Sequence, residues 1–211
     1  QGVPHHLVDH ISVQQSYTVA DYEKEALACI DVLFQDHDEV ILTGGSGLFV
    51  RAVCEGIDEM PSPKAGVRER LNLLHQQQGL VPLLEELKIA DPIYYEQVDR
   101  KNHIRVIRAL ELIRSTGKAF SSFRSGKKAK RSFQIVKIGL NREREELYQR
   151  INLRMDIMLK SGLLEEAKRL YPFKELGALK TVGYQEFFDF WDEKTDWKRA
   201  VILLKQNSRR Y

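Results

Sequence analysis

Three short stretches of this 211-residue chain carry residue types that can do chemistry. Gly44-Gly45-Ser46-Gly47 follows the apolar run Val40-Ile41-Leu42 and opens a segment of helical character. Glycines let a backbone approach a ligand closely, and free N–H groups at a helix start attract anions. No Gly-Lys-Ser/Thr follows, so this is not a Walker A loop. A ligand cradle and a tight strand-to-helix turn both remain open. Arg150 and Arg154 lie four apart and share a helix face. With Leu147, Ile151, Met155 and Met158 as the buried stripe, Arg154 falls about 60° from its centre. The spacing therefore predicts a half-buried guanidinium, which needs either an anion or an ion pair with Glu143, Glu146 or Asp156. Lys180-Thr181-Val182-Gly183-Tyr184-Gln185 enters a helix and combines an aromatic ring with an amide, which suits a nucleobase and equally an ordinary turn. His5-His6 lacks the i, i+4 spacing of a chelating pair and reads as structural or substrate-contacting rather than metal-binding.

Charge is segregated along the chain. From Arg100 to Arg131 there are eleven lysines and arginines and one acid, Glu111, although the whole protein is only +3. Such a block in an otherwise acidic chain is the footprint expected for a polyanion, most simply nucleic acid. A solvated basic face is the plain alternative. Lys127-Lys128-Ala129-Lys130-Arg131 reads as a mobile loop, whereas Arg105, Arg108 and Arg114 should stand on an ordered helix. Two cysteines, Cys29 and Cys54, exclude a zinc ribbon or a disulfide framework and fit a reducing cytosol. No stretch approaches the roughly 18 apolar residues of a membrane span.

The elements that must position these residues follow from periodicity and punctuation. Val19–Phe34 reads as an amphipathic helix; Val40–Leu42 reads as a strand, and the glycine turn leads into a helix over Leu48–Val53 that stops at Glu55-Gly56. Strand, glycine turn and helix form the unit of a parallel α/β sheet. Pro61 and Pro63 mark a boundary, after which the pattern is all-helical: Val67–Gln78, Val81–Lys88, Pro92–Val98 and Ile104–Ser115. Asp91-Pro92 is an N-cap with proline at the first helical position, Asn102 can cap the next helix, and Gly117 sits where a C-terminal glycine belongs. Phe133–Leu140 reads as a second strand. Asn141 then caps a long helix to about Lys160, followed by helices over Leu163–Leu170, Tyr184–Trp191 and from Trp197 onward. This gives an α/β core over residues 1–58 and 133–211, with a basic helical insertion over 59–132. Two strands cannot make a stable parallel sheet, so the core is expected to be incomplete within this chain.

Taken together, the segments resemble the tRNA dimethylallyltransferase (tRNA isopentenyltransferase) family. The matching pieces are Val3 to Asp9, Tyr17 to Tyr22, Leu42 to Phe49, Arg105 to Glu111, Arg150 to Asp156, Val182 to Glu186 and Ser208 to Tyr211, in family order. The resemblance implies a P-loop-NTPase-like core with a helical insertion. It also implies transfer of a dimethylallyl group from dimethylallyl pyrophosphate to the N6 amine of the adenosine 3′ of the anticodon, in tRNAs reading codons that begin with U. Base extrusion suits such chemistry. Arg154 takes the place of the family arginine that stabilises the leaving pyrophosphate. Gly44, Gly45 and Ser46 correspond to a Gly-Gly-Thr turn at the pyrophosphate and substrate, with Ser46 also meeting tRNA. Arg68, Arg105, Arg108 and the loop of Lys180, Thr181, Val182, Gly183, Tyr184 and Gln185 correspond to tRNA contacts. The family uses Mg²⁺, whose ligands are expected ahead of this chain, as are its P-loop and the aspartate that serves as general base. The chain is thus expected to be a truncated and inert form of a monomeric, cytoplasmic enzyme with the tRNA anticodon arm as partner. The competing functions are a prenyltransferase acting on free adenine nucleotides, which has less need of the basic insertion, a non-catalytic RNA-binding module, and a nucleotide kinase.

Overall fold

The computed structural model describes residues 2–210. Tyr211, where the last matching segment ends, lies outside the described residues. Among these residues the regular structure is helical: α1 (Val19–Leu33), α2 (Gly47–Glu55), α3 (Val67–Gln78), α4 (Val81–Ala90), α5 (Pro92–Gln97), α6 (His103–Thr116), α7 (Arg144–Lys160), α8 (Leu163–Leu170), α9 (Gln185–Trp191) and α10 (Trp197–Arg210), with short 3₁₀ turns at Phe120–Phe123, Tyr171–Phe173 and Gly177–Leu179. The chain divides into two compact units, residues 22–134 and residues 1–21 with 135–211. α2 and most of α1 thus group with the helical segment, where the prolines suggested a division near residues 58 and 132.

Neither expected strand forms. Val40–Leu42 and Phe133–Leu140 run without regular secondary structure, and no strand is present among the described residues to pair with them. A strand is held by its ladder partner, because its N–H and C=O groups need partners outside the segment. Several apolar side chains of both segments stand in the open, with Ile41 85% exposed, Ile138 81% and Leu140 98%, while Val40, Leu42 and Phe133 are half-buried. The parallel sheet expected from the pattern is therefore not seen among the described residues.

In the 22–134 unit, α6 is the central element, packed against α3 and α4. Val106, Ala109, Leu110 and Leu112 of α6 are fully buried together with Leu71 of α3 and Leu83 and Leu87 of α4. Each such leucine contributes about 2 kcal/mol of transfer free energy. Punctuation sets the ends of these helices. Asn102 Oδ1 accepts from the Arg105 N–H at 3.2 Å, and Gly117 closes α6 in the left-handed conformation (φ 74°), its N–H donating to Ile113 O at 2.7 Å. Asp91 caps α5 by accepting from Tyr94 N–H at 3.0 Å. Its carboxylate also accepts from Ser121 N–H at 2.6 Å and Ser121 Oγ at 2.8 Å, tying the turn after α6 to the α4–α5 junction.

The basic segment after that turn is anchored, contrary to the mobile loop read from its composition. Arg131 donates to Ala52 O (2.7 Å) and Val53 O (2.7 Å) at the C-terminal end of α2 and to Glu23 Oε1 of α1 (2.5 Å). A guanidinium is favoured at the negative end of a helix, where it shares Ala52 O with the Gly56 N–H and gives Val53 O a donor. Ala129 N–H donates to Glu55 O at 2.8 Å, next to Gly56, whose φ of 79° and close approach to Ala129 both require glycine.

In the other unit, α10 packs against α7 and α9. Met155, Leu163, Ala167, Phe187 and Leu204 form its core, flanked by Met158, Leu159, Val182, Tyr184 and Trp191. α7 begins at Arg144 after Glu143, with no side-chain cap; Asn141, expected in that role, instead accepts from its neighbour Arg142 N–H at 3.0 Å. At the start of α1, Thr18 and Asp21 form a reciprocal box, with Thr18 N–H donating to Asp21 Oδ2 (2.8 Å) and Asp21 N–H to Thr18 Oγ1 (3.2 Å).

Asp91→Ala removes a helix cap and leaves the Ser121 donors unpaired, so it should cost about 2–4 kcal/mol in urea unfolding. A loss below about 1 kcal/mol would show that the junction is held by packing alone.

Candidate functional site

Of the three arginines expected at tRNA in the 22–134 unit, two converge on one buried carboxylate. Arg68 of α3 makes a two-point contact with Glu111 of α6, Nε to Oε1 at 2.9 Å and Nη2 to Oε2 at 2.7 Å. Arg108, three residues earlier on α6, donates Nη1 to the same Oε2 at 2.7 Å. The Glu111 side chain is 7% exposed, whereas Arg68 and Arg108 are 48% and 37% exposed. Burial pushes the Glu111 carboxyl up, and the hydrogen bonds and charges of Arg68 and Arg108 outweigh it, holding it below the usual carboxylate range. The trio carries one net positive charge with N–H donors left over on both outer sides. Arg105 is exposed and has no ion pair among the described residues.

The rest of the basic window splits into spent and free charge. Arg114 is paired two-fold with Glu86 (2.7 and 2.6 Å), Lys128 meets Glu55 (3.2 Å), and Arg131 is tied to α2 and Glu23. Arg124 donates to Gln97 (3.0 Å) with its guanidinium 5.4 Å from the centre of the Tyr94 ring. Lys101, Lys118, Lys127 and Lys130 are exposed without an ion pair among the described residues.

The Gly44-Gly45-Ser46 turn lies in the same unit and opens α2. Ser46 is the N-cap residue with extended backbone, and Val50 N–H donates to its carbonyl at 3.1 Å. Its hydroxyl makes no capping bond. Gly44 and Gly45 are exposed, and a Cβ added at Gly44 would meet nothing within 4 Å.

In the other unit, α7 is turned from the expected stripe. Met155 is buried, with Tyr148, Ile151, Asn152, Asp156, Met158 and Leu159 half-buried, while Leu147 is 42% exposed. The seam with α10 explains this: Arg209 Nη1 donates to Asn152 Oδ1 (2.6 Å), Ser208 Oγ lies 3.3 Å from Met155 Sδ, and Lys205 pairs with Asp156 (2.6 Å). Polar residues thus share the buried side with apolar ones. Arg154, expected to be half-buried, is exposed beside Arg150, Leu153 and Ile157. Glu143, Glu146 and Asp156 do not pair with it; Arg142 takes Glu146 and Lys205 takes Asp156.

The loop from Lys180 to Gln185 is built around a carboxylate that the sequence reading missed. Glu186 is buried; its Oε2 accepts from Gly183 N–H (2.9 Å) and its Oε1 from Asn207 Nδ2 of α10 (2.8 Å). The carboxylate reaching back three residues to a backbone N–H is one half of a capping box, and with glycine in place of Ser or Thr the sequence shows only the three-residue spacing. Lys180, Thr181, Val182, Gln185, Glu186 and Asn207 line a recess of about 280 Å³. Lys180 lies 3.7 Å from Glu175, with both side chains exposed. Tyr184, expected as a free stacking ring, is already engaged: it lies parallel to Phe188 (6.3 Å between centres) and donates its hydroxyl to Glu166 at 2.5 Å. Burial and then that hydrogen bond push its phenol up to about 12.

His5 and His6 are exposed, with His5 Nδ1 2.8 Å from Val3 O. No group of three or more His, Cys, Asp or Glu among the described residues can hold a metal ion. The described residues therefore form no all-protein Mg²⁺ cage. No helix among them is long and apolar enough to cross a membrane.

The IPP transferase family model matches residues 1–211. The chain belongs to the IPP transferase family. It is 47% identical to tRNA dimethylallyltransferase 1 of Phocaeicola vulgatus over 209 residues, covering 99% of this chain and 70% of that protein. It is 48% identical to tRNA dimethylallyltransferase 1 of Bacteroides fragilis, covering 69% of that protein. The full-length tRNA isopentenylpyrophosphate transferase of Bacillus halodurans superposes with a TM-score of 0.63 at 34% identity, over 100% of this chain and 66% of that one. A eukaryotic dimethylallyltransferase crystallised acting on tRNA shares the fold, with a TM-score of 0.79 at 23% identity, over 100% of this chain and 54% of that one. This IPP transferase chain thus spans about two thirds of the length of the three bacterial relatives and about half of the eukaryotic one.

Within this IPP transferase, Glu111 sets a pH dependence. A carboxyl whose folded pKa lies below its unfolded value of about 4.3 adds stability that is complete above that value and is lost as pH falls through the folded one. Glu111→Gln should therefore be less stable than wild type by about 1–3 kcal/mol at pH 7, and the gap should shrink below about pH 4. A gap that stays constant from pH 7 to 3 would show that the two arginines do not hold the carboxylate ionised.

Proposed function

We propose that this chain carries recognition and leaving-group elements of a tRNA dimethylallyltransferase. The reaction joins the dimethylallyl group of its pyrophosphate to the N6 amine of the adenosine 3′ of the anticodon, in tRNAs reading codons that begin with U. The observation that carries the reading is the family match along the whole chain, at 44–48% identity to eight tRNA dimethylallyltransferases. The free cations fit it: Arg105, Lys101, Lys118, Lys127 and Lys130 are exposed and unspent, as a polyanion partner requires. That surplus favours an RNA over a free nucleotide as prenyl acceptor.

In the transfer, the N6 lone pair forms the new C–N bond as the allylic C–O bond breaks. The electron pair leaves on pyrophosphate, and the amine loses a proton to a base. Negative charge therefore grows on the leaving oxygens, where cationic and N–H donors act. Arg154 suits that role because all five of its N–H donors are uncommitted within the described residues. Gly44, Gly45 and Ser46 supply an open backbone turn and a hydroxyl free of capping duty, for the pyrophosphate and the adjoining nucleotide. Arg68 and Arg108, oriented by Glu111, and the loop from Lys180 through Thr181, Val182, Gly183 and Tyr184 to Gln185 are assigned to the anticodon arm. The recess beside Gln185, with Glu186 at its wall, offers both donors and acceptors for a base edge.

We also infer that Val40–Leu42 and Phe133–Leu140 are sheet segments of a P-loop-like core. The support is the exposed apolar side chains of Ile41, Val136, Ile138 and Leu140 and the fold shared with tRNA isopentenyltransferases.

The test is binding of this chain to an anticodon stem-loop RNA across a salt series, with the target adenosine present or replaced. Steep salt dependence with a preference for the adenosine is expected; steep dependence without preference would reduce the site to a basic surface. Arg105→Ala should lower the slope of log K against log salt by about one, and an unchanged slope would remove its phosphate role. In the active enzyme, Arg154→Ala should reduce turnover about 100-fold or more with tRNA affinity nearly unchanged. Equal losses in both would make Arg154 a scaffold residue.

A further inference from the structure

The seam between α7 and α10 holds a cluster that the proposed reaction does not use. Arg144 donates Nε to the Tyr148 hydroxyl at 2.8 Å, and its guanidinium carbon lies 5.2 Å from the ring centre. The guanidinium of Arg209, from α10, lies 5.6 Å from the same ring and donates Nη1 to Asn152 Oδ1 at 2.6 Å. Two like charges thus meet on one phenol. The electron-rich ring offsets part of their repulsion, but no carboxylate among the described residues does so. Two nearby acids are taken elsewhere, Glu146 by Arg142 and Asp156 by Lys205, while Glu143 and Glu145, the sequence neighbours of Arg144, are exposed and form no ion pair with either guanidinium.

The inventory of unspent groups is one-sided. Arg144 has used Nε alone, which leaves both of its terminal NH₂ groups. Tyr148 accepts through its oxygen and keeps its O–H to donate. Arg209 keeps the Nε and Nη2 hydrogens. Only donors remain, and they are fixed by two hydrogen bonds and two ring contacts. That combination recognises a fully ionised oxyanion such as phosphate.

We infer that Arg144, Tyr148 and Arg209 form a phosphate-binding site for the RNA backbone, separate in its residues from Arg154 and from the Lys180–Gln185 loop. The inference rests on the proposed RNA substrate. A polymer is favoured over a small anion by α10 itself, whose 14 residues include Lys198, Arg199, Lys205, Arg209 and Arg210 and no acid. That basic helix is about 20 Å long, longer than a single pyrophosphate needs. Arg144 and Arg210 are exposed, while Tyr148 and Arg209 are half-buried, so a passing backbone can reach donors that are already oriented.

The test uses the whole chain and an anticodon stem-loop RNA at 50–300 mM salt. Arg144→Gln and Arg209→Gln should each reduce the slope of log K against log salt by about 0.7–0.9, equivalent to about a threefold loss of affinity relative to wild type on going to fourfold lower salt. Arg144→Lys and Arg209→Lys should keep the slope, which separates lost charge from lost folding. The preference for the target adenosine should be unchanged in all four variants. Unchanged slopes in both glutamine variants would overturn the site. So would inorganic pyrophosphate alone, without RNA, shifting the Arg144 and Arg209 Nε–H NMR signals at submillimolar concentration, because the cluster would then belong to the prenyl donor. If wild type itself shows no adenosine preference, the proposed function fails while the slopes still report on this site.

Discussion

Glu111 sits on the inner side of α6 with its carboxylate almost out of water, and much of the basic unit is organised by what that costs. An ionised carboxylate in such a place must be paired. α6 supplies one partner, Arg108, from its preceding turn, and α3 supplies the other, Arg68, across the packing interface. The following turn of α6 closes a second link: Ser115 donates to Glu111 O at 2.6 Å and accepts from Lys64 N–H at 3.0 Å, just ahead of α3. The position of α3 on α6 is thus specified by polar contacts as well as by Leu71, Val106 and Leu110. Because two guanidiniums meet one carboxylate, the electrostatic need is met with a positive charge to spare. Removing either arginine would leave Glu111 still paired, whereas removing Glu111 would free both arginines at once. A shared acid is an economical way to hold two long side chains that otherwise lose about 2 kcal/mol each of rotamer freedom on ordering.

Seen this way, the basic window is not a uniform surface charge. Arg131 closes a helix end, Arg114 clamps α6 to α4, and Lys128 fastens the segment that returns past Gly56. Those cations work inside the fold, and their partners already neutralise them. What a polyanion can displace counterions from is the smaller set with no such partner, together with the outward donors of Arg68 and Arg108. Counting charges along the sequence therefore overstates the number of phosphate contacts, and a salt slope measures the smaller number.

Legibility in the sequence followed the range of the signal. Val67–Gln78 and Leu163–Leu170 were readable end to end, and the caps at Asp91, Asn102 and Gly117 were as well, because propensity, cap residue and apolar period all act within a few residues. The face of α7 was not, because its stripe was defined by apolar residues alone. Its buried side is set by α10, which brings Arg209 and Lys205 to Asn152 and Asp156 and so turns Tyr148 inward and Leu147 outward. The anchoring of Lys128 and Arg131 was hidden for the same reason: each partner lies more than 70 residues away. At the candidate site, residue types were legible and their commitments were not. Arg68, Arg108 and Tyr184 were singled out without their acids, although Glu111 was conspicuous as the lone acid of its window.

The distinction between committed and uncommitted donors separates the arginines of α7 better than burial does. Arg142 is half of an i, i+4 pair on the surface and contributes little beyond that pair. Arg144 is no more buried in class, yet it is oriented by a phenol and retains most of its donors. Arg154 is fully uncommitted, on a face where Leu153 is 60% and Ile157 54% exposed. An uncommitted guanidinium amid exposed apolar side chains is poorly placed for solvent alone. Its attraction to an anion strengthens as water is excluded from that face, so Arg154 gains most where an anionic group and apolar cover arrive together. A prenyl pyrophosphate brings both in one molecule, an anion at one end and a hydrocarbon at the other.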